Sequence, residues 1–562
     1  MVFVETLYVG DRHEIITPFE LFLRYEIARS LYRDEVSFLP PDPGVYLCLI
    51  HKLPIVHSRT YSNGISLFTA STMESSTMYP LVSRDDLVKS YVGKSLHDVS
   101  CPAAVLDLSK VKKNCSDMLH AVDSLGFGWR AHIKTHKTTE LTRLQVGAGS
   151  RPANIVVSTI IEAENIVPLL LEYKSDGRDV NVLYSFPVAP GAVDRLAAIS
   201  KALGPRGLSL MIDHPAQLDS VSRIYAKSGI PPLIFIKIDM GGHRAGVIPD
   251  TTACTDLISS VLSLAKRNEC VFHGLYSHAG HSYSSNSQTV ALDYLRQELE
   301  SLLVTVGTVN LTFDNKTHLV LSVGATPTTT SIRNLFVDVT SEEESREVSA
   351  LKATIGALRE LGHEIELHAG VYPVLDLQQL ATHALPENIL GFSSLGLTIL
   401  AEVASLYPSR GTSNSSEALI TAGSLAITLI CPYMYFLSTP EYYYLPVSVD
   451  LLTLTLSVGR EPCKAYAGWG ILTPWNRSSF VLPNSGPENY SGWQISRISQ
   501  EHGILTNPGK NDSELTIGQK IRIWPNHACI AGAGYGWYLV VDESRKGKED
   551  EIVDIWVRWR GW

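Results

Sequence analysis

The fold is decided by the stretch Trp129-Arg-Ala-His-Ile-Lys-Thr-His-Lys-Thr-Thr-Glu-Leu-Thr-Arg-Leu-Gln145. The residues that lead up to Ile133 predict the end of a short strand, and Thr138 predicts the cap of the helix that follows. Lys134 therefore lies where a strand passes into a helix, which in α/β barrels is the mouth where the chemistry is done. A lysine at an arbitrary position is usually a surface cation. Crowded by Lys137 and two histidines, this one is expected to have a lowered pKa and to serve as an imine-forming amine.

Length, charge and cysteine content narrow the class of protein. At 562 residues the chain is too long for one ordinary core, so two domains are expected. The net charge of -10 and the scattered Lys and Arg residues argue against a nucleic-acid partner. Eight cysteines lack framework spacing, and the first 17 residues lack the basic and apolar regions of a signal peptide. These features predict a cytoplasmic protein in a reducing compartment.

From Ala103 onward, short apolar strands alternate with helical stretches. The predicted strands are Ala104–Leu108, the strand before Lys134, and the segments 155–158, 180–184, 208–212, 233–238, 271–276, 318–322 and 364–367. About eight such units predict a closed (β/α)8 barrel, which we place at residues 83–390. An open doubly wound sheet is the alternative, but no nucleotide-binding glycine motif opens any of these units.

The flanking regions differ from the barrel in composition. Residues 1–77 lack periodicity, which predicts a poorly packed extension or a mispredicted start. Residues 391–562 are rich in predicted strands and form a second, β-rich domain. Within it, residues 427–458 are an atypical insertion, either a translated intron or a family-specific segment. Prolines and acidic residues make that insertion a poor membrane span, so no membrane partner is expected.

Polar residues follow several of the predicted barrel strands, and each group taken alone could be an ordinary turn. Arg244, in a glycine-rich turn, could neutralise an anionic oxygen. Two tyrosines and two histidines cluster in the segment 274–283, which is more than a buried core needs. Small and hydroxyl-bearing residues at Ser322–Thr328 have the composition of a phosphate cradle. Gly370-Val-Tyr372 follows the last strand in the same way.

A metal site is predicted in the second domain, at Pro525-Asn-His-Ala-Cys529. In an extended segment, His527 and Cys529 would point to the same side and could share one ion. Imidazole together with thiolate favours zinc. Two protein ligands leave positions open for water or substrate, as catalytic zinc sites do.

The whole motif series resembles that of the eukaryotic, fungal-type D-serine dehydratases. These are fold-type III pyridoxal-phosphate enzymes, related to alanine racemase and D-threonine aldolase. The likeness covers roughly residues 83–425 and 459–562. It is carried by the sequences Arg130-Ala-His-Ile-Lys-Thr-His-Lys, Asp239–Val247, His278-Ala-Gly-His-Ser-Tyr, Ser322-Val-Gly-Ala-Thr-Pro-Thr and Pro525-Asn-His-Ala-Cys.

The resemblance implies a role for each of the candidate residues, and a homodimer. Lys134 would bind pyridoxal 5'-phosphate covalently and act as the catalytic base, and Arg244 would lie near the ring 3-oxygen. Further cofactor contacts would come from Tyr276, Tyr283, Thr326, Gly370 and Val371, and zinc would be bound by His527 and Cys529. Relatives commonly have Asn where this chain has Val371, so only a contact from the backbone N–H of that residue is expected to remain.

The implied activity is the zinc-dependent dehydration of D-serine to aminoacrylate, which takes up water to give pyruvate and ammonia. Retro-aldol cleavage of the D-threonine aldolase type is the main alternative. In that family the metal motif typically ends in Asp, whereas here the second ligand is Cys529, which favours the dehydratase. A non-catalytic pyridoxal-phosphate carrier and an inactive product damaged by the insertion are two further alternatives. A carrier would have no need of the metal motif.

Overall fold

The computed structural model describes residues 80–312, 318–337, 341–427, 470–474, 492–507 and 514–562, together with two short antiparallel strands, Tyr8–Val9 and Arg12–His13. The chain divides into two compact units, Met1–Ser71 and Thr72–Trp562. The barrel and the candidate site belong to the second unit. Apart from those two strands and Ile427, the predicted extension 1–77 and the insertion 427–458 lie outside the described residues, and both stay predictions.

The strands of the second unit fall into two sheets. In chain order they are β1 (Ala103–Asp107), β2 (Gly128–His132), β3 (Ala153–Val157), β4 (Val180–Pro187), β5 (Leu208–Ile212), β6 (Leu233–Lys237), β7 (Val271–Tyr276), β8 (Val320–Val323), β9 (Glu364–Ala369), β10 (Leu397–Tyr407), β11 (Glu417–Ile420), β12 (Gly470–Pro474), β13 (Gln494–Ile498), β14 (Gly503–Thr506), β15 (Lys520–Pro525), β16 (Trp537–Val541) and β17 (Asp554–Val557).

Most helices lie between the barrel strands. They are α1 (Arg84–Tyr91), α2 (Leu108–Leu125), α3 (Thr139–Val146), α4 (Ile160–Ser175), α5 (Val193–Leu203), α6 (Leu218–Ser228), α7 (Thr252–Lys266), α8 (Gln288–Thr312), α9 (Thr326–Ser331), α10 (Glu342–Glu360), α11 (Leu377–Ala381) and α12 (Ala528–Ala533). Within the described ranges, none of these helices combines the length and the apolar character needed to cross a bilayer.

Strands β2 to β9 close into a parallel barrel in the order β8-β9-β2-β3-β4-β5-β6-β7. The predicted (β/α)8 barrel is therefore confirmed. Its strands are buried on both faces, one against the outer helices and the other in the barrel interior. Strands such as β5 and β6 are accordingly mostly apolar, whereas β2 and β9 carry the buried Arg130 and Glu366. Because all eight strands are parallel, their carboxyl ends meet at one face, and the loops that follow them meet there too.

The remaining strands form a nine-stranded sheet in the order β11-β14-β13-β12-β15-β10-β1-β16-β17, and β11 also pairs with β10. The predicted β-rich second domain is confirmed, but one strand was assigned wrongly. Ala104–Leu108 was predicted as the first strand of the barrel series, whereas β1 pairs antiparallel with β10 and parallel with β16. A buried strand followed by a helix has the same sequence pattern in a barrel and in a sheet, so the pattern could not separate the two.

The barrel interior has an apolar layer and a polar layer. Val156, Leu183, Met211, Phe235, Tyr276 and Val320 form a buried cluster inside the ring. In the polar layer, Arg130 Nε lies 2.6 Å from Glu366 Oε1, and both side chains are almost fully buried. Arg130 Nη1 also donates to Asn181 Oδ1 at 2.6 Å. Pairing is required here, because a buried charge without a partner is strongly destabilising.

Candidate active site

Lys134 occupies the turn between β2 and α3 at the barrel mouth, as predicted. Strand β2 ends at His132, and the hydroxyl of Thr138 caps α3 by accepting a hydrogen bond from the N–H of Leu141 at 3.4 Å. The Lys134 side chain is half-buried. Burial lowers its pKa, and the positive charge of Arg244 lowers it further, against the opposing effect of Cys529. A larger share of this amine is therefore neutral than of an exposed lysine.

The two histidines beside Lys134 do not add positive charge, contrary to the prediction. Burial lowers the pKa of His136 to about 3, and its Nε2 donates to Gln145 Oε1 at 2.8 Å while its Nδ1 accepts from the N–H of Thr138. Burial also lowers the pKa of His132 well below its ordinary value. Both rings are neutral parts of the scaffold. They hold the turn in place, and desolvation is the main cause of the lowered pKa of Lys134.

Lys137 forms an ion pair with a buried carboxylate. Its Nζ lies 2.9 Å from Oε1 of Glu162, whose side chain is fully buried on α4. The backbone oxygen of Lys137 also accepts from the N–H of Trp559, near the end of the described chain. Lys137 thus fastens the turn that carries Lys134 to the neighbouring helix and to the second domain.

His527 and Cys529 lie together, but not in the extended segment that the sequence predicted. His527 is the cap of the six-residue helix α12, and Cys529 lies in its first turn. The two side chains are hydrogen-bonded. Burial alone would raise the pKa of the Cys529 thiol, but the charge and hydrogen bond of His527 outweigh burial and lower it. The grouping is as predicted, and its geometry comes from a helix start rather than from a strand.

The pair fits a soft metal ion by its chemistry. Nδ1 of His527 is buried and has no hydrogen-bond partner, which is unusual for a buried polar atom. A thiol with a lowered pKa and an imidazole form a donor set that suits zinc. Burial lowers the pKa of His527, but Cys529 and Asp376 outweigh burial and raise this pKa to about 9, and zinc would displace the proton that they favour. Among the residues that the structure describes, no group of three or more His, Cys, Asp and Glu side chains converges on one point.

The pair formed by His527 and Cys529 lies directly against the loop that carries Lys134. Sγ of Cys529 is 3.2 Å from Oγ1 of Thr135, the residue that follows the lysine. Behind the pair, Asp376 accepts from the N–H of Ala528 at 2.8 Å and fixes the start of α12. The second domain of the same chain thus places its thiol and imidazole beside the amine. Neither Thr135 nor Asp376 was singled out from the sequence, because each contact joins distant parts of the chain.

The loops after β8 and β9 meet as predicted, and they form a narrow cradle. Thr326 is the first residue of α9, and its Oγ1 accepts from the N–H of Val371 at 3.2 Å. At Gly324, whose φ is +143°, a Cβ would clash with the backbone oxygen of His368. At Gly370 a Cβ would lie 3.3 Å from the Cβ of His132. Hydroxyl and N–H donors with little side-chain bulk fit the phosphate group of a cofactor.

The remaining candidates surround the same mouth. Tyr276 ends β7, is buried, and stacks on His368 with ring centroids 4.1 Å apart. Tyr283 is half-buried on the short 3₁₀ helix Gly280–Ser284 that follows. Arg244 is exposed, and a Cβ on Gly280 would lie 3.9 Å from its Nη1, so the guanidinium reaches the loop after β7. An amine, a phosphate cradle and aromatic walls at one opening fit a carbonyl-bearing cofactor with a phosphate.

Lys237, the last residue of β6, is a second buried amine that sequence reasoning missed. It shares strand parity with Phe235, so its side chain enters the barrel interior, where Nζ lies 5.1 Å from the centroid of the Tyr276 ring. Burial, reinforced by the charge of Arg244, lowers its pKa to about 7. A lysine inside the apolar run Leu233–Ile238 was the available signal, since such a position is rarely charged.

We expect Lys237→Met to stabilise the protein at neutral pH. The folded-state pKa of about 7 lies below the ordinary value of 10.5, so between these values the unfolded chain binds more protons. The folded protein is therefore destabilised by the cost of burying the charged Lys237. This destabilisation is at its full size below about pH 7 and disappears as the pH approaches 10.5. Urea unfolding without added cofactor should show a gain on the order of a few kcal/mol at pH 7 that shrinks by about pH 10. The exposed Lys201→Met is the control, and an equal effect there would contradict this account.

Comparison with known proteins identifies the family. Residues 396–541 match a family model described as a putative serine dehydratase domain, and residues 106–338 match the alanine racemase N-terminal domain. The D-serine dehydratase of Schizosaccharomyces pombe is 34% identical over 491 residues, which span 87% of this chain and 98% of that protein. The chain belongs to the D-serine dehydratase family. The family member of Saccharomyces cerevisiae is 30% identical, over 85% of this chain and 100% of that protein.

A solved structure agrees with this assignment of the fold. D-threo-3-hydroxyaspartate dehydratase from Delftia sp. HT23 superposes with a TM-score of 0.59 at 23% identity, covering 84% of this chain and 100% of that one. At this identity the likeness concerns the fold alone, a barrel with a β-rich domain. The D-serine dehydratase family belongs to the fold-type III pyridoxal-phosphate enzymes, so pyridoxal phosphate is the cofactor that the amine and the cradle are suited to hold.

Proposed function

We propose that this chain is a D-serine dehydratase that uses pyridoxal phosphate and zinc to convert D-serine into pyruvate and ammonia. Apart from family membership, the main support for this proposal is the 3.2 Å contact between Cys529 Sγ and Thr135 Oγ1. It holds the metal-binding pair beside Lys134, so a base and a Lewis acid would act on adjacent atoms of one small substrate.

Lys134 would anchor the cofactor and then serve as the base. The bound pyridoxal phosphate would supply an electron sink that makes the Cα–H bond of the amino acid acidic. Lys134 would take up that proton at Nζ, which its burial suits because a neutral amine is needed to accept it. Thr326, Gly370 and Val371 would hold the phosphate end, with the backbone N–H of Val371, which donates to Thr326 Oγ1 in this structure, turning to the phosphate.

Three further residues would orient the cofactor ring. Tyr276 and Tyr283 would border it, and Arg244 would neutralise its 3-oxygen from the rim of the mouth. This assignment follows from the resemblance, and the lowering of several buried pKa values by Arg244 supports it, because the charge acts on both Lys134 and Lys237.

His527 and Cys529 would assist departure of the β-hydroxyl group. Zinc held by these two residues would supply Lewis acidity toward that poor leaving group. Asp376 fixes the start of α12 and so keeps both donors on the side that faces Lys134. Loss of the proton and of hydroxide leaves aminoacrylate, which reacts with water to give pyruvate and ammonia.

Product analysis tests the activity. Purified protein supplied with pyridoxal phosphate and zinc should form pyruvate from D-serine, and chelation should stop it. Glycine and acetaldehyde formed from D-threonine as the faster reaction would replace this proposal with aldol cleavage. A homodimer and a cytoplasmic location, both predicted from the sequence, are part of the same proposal; light scattering of the purified protein and fractionation of the source cells test them.

A further inference from the structure

Glu298 is a fully buried carboxylate on α8 that the proposed chemistry does not use. Its Oε1 accepts from the N–H of Ala279 at 2.9 Å and from the N–H of Gly324 at 3.2 Å. Its Oε2 accepts from the hydroxyl of Thr328 at 3.0 Å. Glu298 thus accepts three hydrogen bonds, one from the segment after β7 and two from the segment after β8.

The two loops are those that follow β7 and β8. The first contains Ala279, between His278 and the 3₁₀ helix that carries Tyr283. The second contains Gly324 and continues into α9, whose first residue is Thr326. A direct bond also joins them, because His278 Nδ1 donates to the backbone oxygen of Gly324 at 2.6 Å. Glu298 spans this junction from the outer side, where the helix packs against the barrel.

Burying a carboxylate at this position costs free energy of folding, which argues that Glu298 does more than fill space. The neighbouring positions Leu295, Leu299 and Leu302 on α8 are buried and apolar. An apolar side chain at position 298 would continue that face, whereas burial raises the pKa of Glu298 to about 7. A buried acid kept in an apolar helix face is explained by the three donors that it satisfies.

Gly324 makes the junction sensitive to small displacements. Its φ is +143°, and the backbone oxygen of His368 occupies the space that a Cβ would need, so the backbone of Gly324 is closely packed and has little room to move. The N–H of Gly324 points to Glu298, so loss of the acceptor would leave a buried donor unpaired and allow the loop to shift. Thr326 would shift with it.

We propose that Glu298 is a positioning residue that ties the loops after β7 and β8 together and so sets the affinity of the cradle for pyridoxal phosphate. The inference rests on the cofactor named in the proposed function and is independent of D-serine as the substrate. Glu298 acts through Gly324 and Ala279 and does not itself touch the cofactor.

Cofactor titration of three variants tests this. Glu298→Leu removes every acceptor, and we expect the affinity for pyridoxal phosphate to fall about tenfold or more, measured by the absorption band of the Lys134-bound cofactor. Glu298→Gln keeps an oxygen for both N–H groups, and the Thr328 hydroxyl can turn to the oxygen of Ala325 at 3.3 Å, so affinity should stay near wild type. Thr305→Val is the matched control, since Thr305 is buried on the same helix and its hydroxyl donates to the backbone oxygen of Ser301 on that helix.

Hydrogen exchange gives a second readout. The amides of Ala279 and Gly324 should lose protection in Glu298→Leu and keep it in Thr305→Val. If Glu298→Leu is recovered unfolded, Thr328→Val removes one of the three donors to Glu298, together with the bond that the Thr328 hydroxyl accepts from the N–H of Ala325, and a smaller loss of affinity is expected. Unchanged affinity in the folded variant, or an equal loss in Thr305→Val, overturns the role of Glu298. Failure of the wild-type protein to bind pyridoxal phosphate would instead overturn the proposed function.

Discussion

Lys134→Ala should lose the absorption band of the lysine-bound cofactor, and D-serine turnover should fall by about 10²–10⁴-fold or more. The effect is large because one amine is assigned both tasks, covalent attachment of the cofactor and removal of the Cα proton. The spectrum of the purified variant with added pyridoxal phosphate and a pyruvate assay measure the two losses separately.

Lys112→Ala is the control for removal of a lysine, because Lys112 is exposed on α2 and lies outside the mouth. It should keep both the band and the activity. If Lys134→Ala retained the band, the assignment of the anchoring lysine would be wrong. Lys237 would then be the next lysine to replace, since it is a buried amine near Tyr276 with a lowered pKa.

Cys529→Ala and His527→Ala should each slow pyruvate formation by about two to three orders of magnitude while the cofactor band persists. A Lewis acid at a leaving oxygen contributes several kcal/mol, and each ~1.36 kcal/mol is tenfold in rate. A chelator should produce the same loss in the wild-type protein and little further loss in either variant. Metal content per chain and pyruvate formation are the two measurements.

Cys101→Ser serves as the matched control for loss of a thiol. Cys101 lies in the second domain, where its Sγ accepts from Lys520 Nζ at 3.3 Å, and a serine hydroxyl can replace that acceptor. Zinc content and activity should be unchanged. Full elimination activity in a metal-free preparation would remove His527 and Cys529 from the proposed chemistry.

The barrel could be predicted because its determinants are local. Most of the parallel strands are largely apolar and each is followed by a helical stretch, so the repeat is visible without knowledge of partners. The sheet to which a strand belongs, in contrast, is not determined by the sequence of that strand alone. The segment Ala104–Leu108 has the same pattern as a barrel strand, and only its pairing with β10 and β16 assigns it to the second domain.

The candidate site also has features that the local sequence predicts and features that depend on contacts between distant residues. Lys134 and the hydroxyl-rich segment after β8 were found because strand ends mark the mouth of a barrel. His527 and Cys529 were grouped by their spacing, although a helix start and not a strand brings them together. The pairing of Lys137 with Glu162, and the three donors that converge on Glu298, join residues far apart in sequence. Such contacts leave no periodic pattern.

The pairing of β1 also has a consequence for how the chain folds during synthesis. This strand leaves the ribosome before any barrel strand, yet its partners β10 and β16 follow after the whole barrel has been made. Its edges stay unpaired during that interval, and pairing over such a sequence separation is slow because a long loop must close first. Cys529 follows the whole barrel in the sequence, so during synthesis its thiol can reach the loop of Lys134 only after all eight barrel strands have been made.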